Sequence, residues 1–228
     1  MVAITNFSTL KQAIIDEAED DGTEFAMFLP TAIDLAEERL FKECDLPELE
    51  EKATGSLTPS VALLTKPTGY EFADYFLVTI SAGTNTILKK KQESFIRDYW
   101  TGTGVEDTGL PKYYCDASET QFRIAPTPES NYGYEIKYTR KPTKLSDSNS
   151  TNYFVTNIKD ALFAATMLEM VRFMKAWDQI PVWEQVFVQA RDTWNVQQAR
   201  FRKDSGVKAN SVSNTGPNSL KHTINTNA

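Results

Sequence analysis

The sequence predicts an α+β fold: a helical bundle formed by N- and C-terminal helices, an antiparallel β domain inserted between them, and a C-terminal tail. Three observations carry this. Apolar residues recur at helical spacing near both ends of the 228-residue chain. Between those stretches, short β-branched and aromatic runs alternate with Pro, Gly, Asn and Asp. After Asp204 the composition turns to Asn, Ser, Thr and Gly. The implied division is a bundle from 1–52 and 153–204, a β domain from 53–152 and a tail from 205–228.

Phe7, Leu10, Ala13, Ile14 and Ala18 predict a first helix over 7–18, with Thr5, Asn6 or Ser8 as cap. A second apolar stripe, from Phe25 to Phe41, is interrupted by Pro30. Because proline removes a helical hydrogen bond, either the segment kinks at Pro30 or the main helix starts there; the favoured expectation is a helix over 30–44 with Pro30 in its first turn. Strands are predicted at 60–64, 75–80, 86–90, 112–115, 121–125 and 134–138, forming a meander or small sandwich. A short helix at 93–100 and a loop at 101–109 interrupt them. Asn157 is the expected cap of the next helix, whose stripe runs through Ile158, Ala161, Leu162, Ala165, Leu168, Val171 and Met174. Pro181 suits the first turn of a partner helix reaching about Lys203. Met167, Met170, Met174, Trp177, Trp183 and Trp194 fall at helical spacing and are expected in the bundle core. In the tail, the isolated Val207, Val212, Leu220 and Ile224 bury too little surface to offset ordering entropy, so it is expected to be disordered when free.

Composition excludes several classes of function. No apolar run approaches the roughly 20 residues of a membrane span, and the first 25 residues lack a signal peptide's order, so a soluble, unexported chain is expected. The net charge of −7 argues against gripping nucleic acid electrostatically. Cys44 and Cys115 are far apart, and the sole histidine, His222, lies in the tail, so neither a zinc shell nor a histidine-based catalytic set can be assembled. The glycines at 102, 104 and 109 lack the Lys-Ser/Thr ending of a phosphate loop. No cofactor, metal or catalytic residue is assigned. Carboxylate pairs for glycoside hydrolysis are not excluded, but nothing selects one.

Charge is unevenly placed. Residues 1–56 hold 14 acids and 4 bases, leaving +3 for the remainder. Such asymmetry reads first as a well-solvated surface, and otherwise as complementary pairing between copies or a negative surface that DNA passes without sticking. The triplet Lys89-Lys90-Lys91 reads as an edge-strand guard or a contact patch.

Several strings resemble a known family: Leu110-Pro111-Lys112-Tyr113-Tyr114, Phe122-Arg123-Ile124-Ala125-Pro126-Thr127-Pro128, Ile136-Lys137-Tyr138 before Lys141-Pro142, and Thr156-Asn157 before Asp160-Ala161-Leu162. Together, over about residues 5–203, they resemble the head-to-tail adaptors of short-tailed bacteriophages, the tail tubular protein A type. The resemblance implies a non-enzymatic virion protein made in the host cytoplasm. It implies a twelve-membered ring between the portal above and the nozzle below, with DNA leaving through the bore, no membrane partner, and the C-terminal extension docking on the portal. The contacts expected on this reading are Glu37, Glu38, Lys89, Lys90, Lys91, Arg191, Arg200, Arg202 and Lys203, with Leu220 and Ile224 in the tail. The alternatives are a tail-associated cell-wall hydrolase and a non-virion assembly chaperone.

Overall fold

The structure, a computed structural model, describes residues 3–81, 83–100 and 107–204. The predicted tail and most of the predicted glycine-rich loop, 101–106, lie outside the described residues. Asn6 opens α1 (Phe7–Ala18) by a reciprocal pair of bonds: its side chain accepts from the Thr9 amide at 2.9 Å, and the Thr9 hydroxyl accepts from the Asn6 amide at 3.0 Å.

The next helix, α2 (Thr23–Glu43), does not begin at Pro30 but runs through it. Phe25, Leu29, Ile33 and Leu40 form one buried stripe along both halves of α2. Pro30 and Ala26, whose carbonyl loses a partner, face solvent, where water supplies the missing bond. Burial of the whole stripe outweighs one lost hydrogen bond.

A 3-10 turn at Pro47–Leu49 leads into the strands: β1 (Glu50–Leu57), β2 (Leu63–Thr65), β3 (Tyr70–Ser81), β4 (Thr84–Ile87) and β5 (Lys89–Lys90). After α3 (Glu93–Tyr99) come β6 (Thr108–Gly109), β7 (Tyr113–Asp116), β8 (Gln121–Ala125), β9 (Thr127–Pro128) and β10 (Tyr132–Arg140). One sheet has the order β1-β10-β3-β4 and the other β2-β8-β7-β5. All neighbours are antiparallel except the short β5/β7 and β6/β9 pairs, which are parallel. The sheets face each other through an aromatic core, with the Phe76 ring 5.3 Å from Tyr114 and 5.8 Å from Phe122. The expected single strand at 86–90 is two, broken at Leu88, whose side chain turns into that core. Strand β1 was not predicted: in Glu-Glu-Lys-Ala-Thr-Gly-Ser-Leu only Ala53 and Leu57 are apolar. It is held by full pairing with β10, with Tyr134 lying over Gly55, where a Cβ would stand 2.7 Å from the phenol oxygen.

Asn152, not Asn157, caps the return to helix. Its side chain accepts from the amides of Phe154 and Val155, opening α4 (Tyr153–Asn157). Asn157 ends that turn, and Ile158 links it to α5 (Lys159–Phe173), which is buried on nearly every side. The α5–α6 turn, where Lys175 takes a left-handed φ of 59°, leads to α6 (Ile180–Asp204). Met167 and Met170 are buried in the bundle, and Met174, Trp183 and Trp194 pack against it. Trp177 instead stands exposed, because it falls in the turn beyond the end of α5. Both α2 and α6 pack on α5, which is the centre of the bundle.

Candidate functional site

Most of the acid concentrated in residues 1–56 is consumed inside the chain. Glu37 is 3% exposed, and both its oxygens accept the Leu145 amide, at 3.1 and 3.3 Å, while Asn152 donates its side-chain amide to Oε1. Burial raises its carboxyl above the ordinary range, against the lowering effect of these two donors. The cavity it borders is about 10 Å³, room for one water and not for a sugar. Glu37 thus staples the return segment, 141–152, onto α2. Glu38 sits half exposed beside Lys144 (3.4 Å) and Lys141 (3.7 Å), and Lys144 also reaches Asp34. Glu50 meets Lys137 at 2.6 Å and Glu51 meets Arg140 at 3.0 Å. The basic partners come from β10, which pairs with β1, and from the segment after it, which returns alongside α2.

A second cluster clasps α2 to α6. Arg39 binds Glu43 (2.8 Å) and Glu184 (2.5 Å), and Arg191 binds Glu43 (2.7 Å) and Asp192 (2.8 Å). Partial burial would raise the Glu43 carboxyl, but the two guanidiniums outweigh it and hold it below the usual range. Beyond α2, Asn195 accepts the Asp45 amide at 2.8 Å, Trp194 donates to the Asp45 carbonyl at 2.8 Å, and Arg202 pairs with the Asp45 carboxylate. Arg191 and Arg202, expected at an interface, are therefore committed within the chain. Arg200 is exposed with no ion pair among the described residues. The Lys203 side chain, Leu220 and Ile224 lie outside the described residues.

The lysine triplet occupies the edge of the second sheet. The Lys89 side chain is exposed, Lys90 pairs with Asp116 at 2.6 Å, and the Lys91 ammonium stands 5.1 Å from the Phe95 ring centre. Neither cysteine is poised for chemistry: Cys115 is buried, and burial pushes the Cys44 thiol up to about 12. Among the described residues no cluster of three or more His, Cys, Asp or Glu is placed to hold a metal, and no helix is long and apolar enough to cross a membrane.

Two apolar surfaces escaped the sequence reading. On α2, Met27, Thr31 and Leu35 line the side away from the core, and Phe28, stacked on Phe173 at 4.5 Å, widens it. On α6, Val182, Val186, Gln189, Thr193, Val196 and Gln197 fall on one outward stripe without a charge. Val186, Gln189, Thr193 and Gln197 of that stripe line one wall of a 420 Å³ groove whose other wall, residues 157–161, carries the charged Lys159 and Asp160. The signal was present in the sequence as Met27, Leu35, Val182 and Val196, apolar residues out of phase with each core stripe.

The chain is thus a helical bundle interrupted by a β sandwich, stapled by internal ion pairs, with exposed apolar residues on the outward faces of α2 and α6. A family model, that of the SU10 adaptor protein, matches residues 5–211. The chain belongs to the SU10 adaptor protein family. It is therefore a structural phage adaptor, a virion component that joins other virion components. The match spans the bundle, both sheets and the first residues after α6. No curated protein matches this adaptor.

Proposed function

We propose that this adaptor forms a twelve-membered ring that joins the portal of a short-tailed phage to its tail nozzle, with DNA leaving through the bore. The observation that carries the reading is the adaptor-family match over 5–211, which runs through both helical ends and the inserted strands. The net charge of −7 supports a conduit that does not retain DNA. The functional division proposed is a bundle (1–52 and 153–204) that builds the ring, a β domain (53–152) with Lys89, Lys90 and Lys91 at its edge, and a tail (205–228) that folds on docking to the portal through Leu220 and Ile224. Arg200 and Lys203 are proposed contacts between neighbours or with the portal.

The test is native mass of the full chain alone and mixed with portal rings from the same phage, repeated with 205–228 deleted. The full chain is expected to form rings, on the portal at least. The truncated chain should keep its helical content and melting temperature but bind the portal about tenfold or more weakly, equivalent to about 1.4 kcal/mol. Unchanged portal binding would sink the docking role; a monomer that ignores the portal would sink the adaptor ring itself.

A further inference from the structure

Resting on the ring reading, we propose that the uncharged face of α6 in one copy receives the outward stripe of α2 from the next copy, the two helices antiparallel. The α6 face is long and uncharged: from Val182 to Gln197 its outward stripe alternates valines with Gln189, Thr193 and Gln197 and contains no charged residue, with Val182 59% and Val196 51% exposed. The α2 stripe is its counterpart, with Met27 75% and Leu35 44% exposed. At 1.5 Å per residue, Met27 to Leu35 spans about 12 Å and Val186 to Val196 about 15 Å, so the uncharged segments are of similar length.

The two stripes cannot meet within one copy. Both helices bury their opposite faces in the bundle centred on α5, which leaves both stripes pointing outward. Distinct complementary surfaces on one chain make a contact that repeats head to tail, the kind that closes into a ring.

Charge selects the direction. At the start of α2, Asp21 and Glu24 are exposed with no ion pair among the described residues; at its end Lys42 is 74% exposed and paired only loosely with Glu38, at 3.9 Å. Asp178 precedes α6, and Arg200 lies near its end, both exposed and without an ion pair among the described residues. Antiparallel packing brings Glu24 to Arg200 and Lys42 to Asp178. Parallel packing would set Glu24 against Asp178 and Lys42 against Arg200, like against like. The antiparallel arrangement also opposes the helix dipoles favourably.

The experiment is disulfide trapping in the full-length protein, assembled alone or on portal rings. The double variant M27C/V196C is expected to give a ladder of linked multimers on a non-reducing gel. Mixed single variants should give dimers only, and each single variant alone should match the wild type, which carries Cys44 and Cys115. A ring by native mass without a ladder would overturn this pairing and leave the ring reading standing. No assembly with or without the portal would overturn both. As a check independent of cysteine, R200E should weaken assembly about tenfold through Glu24 and Asp21, and E24R/R200E should recover most of it; failure of the reversed pair to recover would overturn the antiparallel register.

Discussion

Replacing Phe187 by alanine is expected to lower the free energy of unfolding by about 3–5 kcal/mol, the range for truncating a fully buried aromatic. The ring is completely inaccessible and lies where α6 meets the rest of the bundle. Its loss leaves a cavity and removes the aromatic face from the Arg39 guanidinium, 4.1 Å above the ring centre, and from Arg191 at 5.9 Å. Those arginines would keep their carboxylate partners, Glu184 and Glu43, but lose the surface that orients them. Urea denaturation at neutral pH measures the effect. The contrast with Val196, on the outward stripe, separates folding from assembly. Val196→Ser should change stability by less than about 0.5 kcal/mol, as for exposed positions generally, and should still weaken association between copies.

The elements legible in the sequence were those whose own residues carry the period. Helix α1 announces itself by Asn6 and four apolar residues in phase, and α5 by an unbroken stripe from Ala161 to Val171. Strands β7, β8 and β10 were visible because aromatic and β-branched residues crowd between turns. What was illegible depends on partners. Strand β1 has almost no apolar content and exists because β10 offers it a complete ladder. The passage of α2 through Pro30 is settled by burial on both sides of the proline, which a propensity argument does not weigh.

The charge pattern was legible as a total but not as a map. The acidic start of the chain and the mildly basic remainder suggested two faces meeting between copies. In the fold, β10 pairs with β1 while residues 141–144 and 191–202 return alongside α2 and the turn after it, so Asp34, Glu38, Glu43, Asp45, Glu50 and Glu51 find their cations within the chain. The uncommitted acids are near the α1–α2 turn, among them Glu17, Glu19, Asp21 and Glu24, which have no ion pair among the described residues. Exposed pairs of this kind contribute little stability individually, so their value is in fixing how the β unit's return segment sits on the bundle. This leaves a short acidic end on α2, rather than a whole acidic face, for recognition between copies.

Glu37 combines the two effects, and its substitutions should separate them. Glu37→Ala removes the acceptor of the Leu145 amide and of the Asn152 side chain, and Asn152 also caps α4. Orphaning these donors under the return segment is expected to cost about 3 kcal/mol. Glu37→Gln retains one oxygen able to accept both bonds and removes the buried charge, so it should cost far less. The pH dependence distinguishes the variants further. Because the folded carboxyl titrates above the ordinary value of 4.5, the native state binds its proton more tightly than the unfolded chain. Stability from this group is then fully present below the unfolded value and is lost as pH rises through the folded one. The glutamine variant has no such loss. Its stability relative to wild type should therefore improve between pH 4 and pH 7 in paired urea titrations, whereas a difference that is flat with pH, or that runs the other way, would mean that the carboxylate is fully compensated by its two donors and that Glu37 acts only as an acceptor.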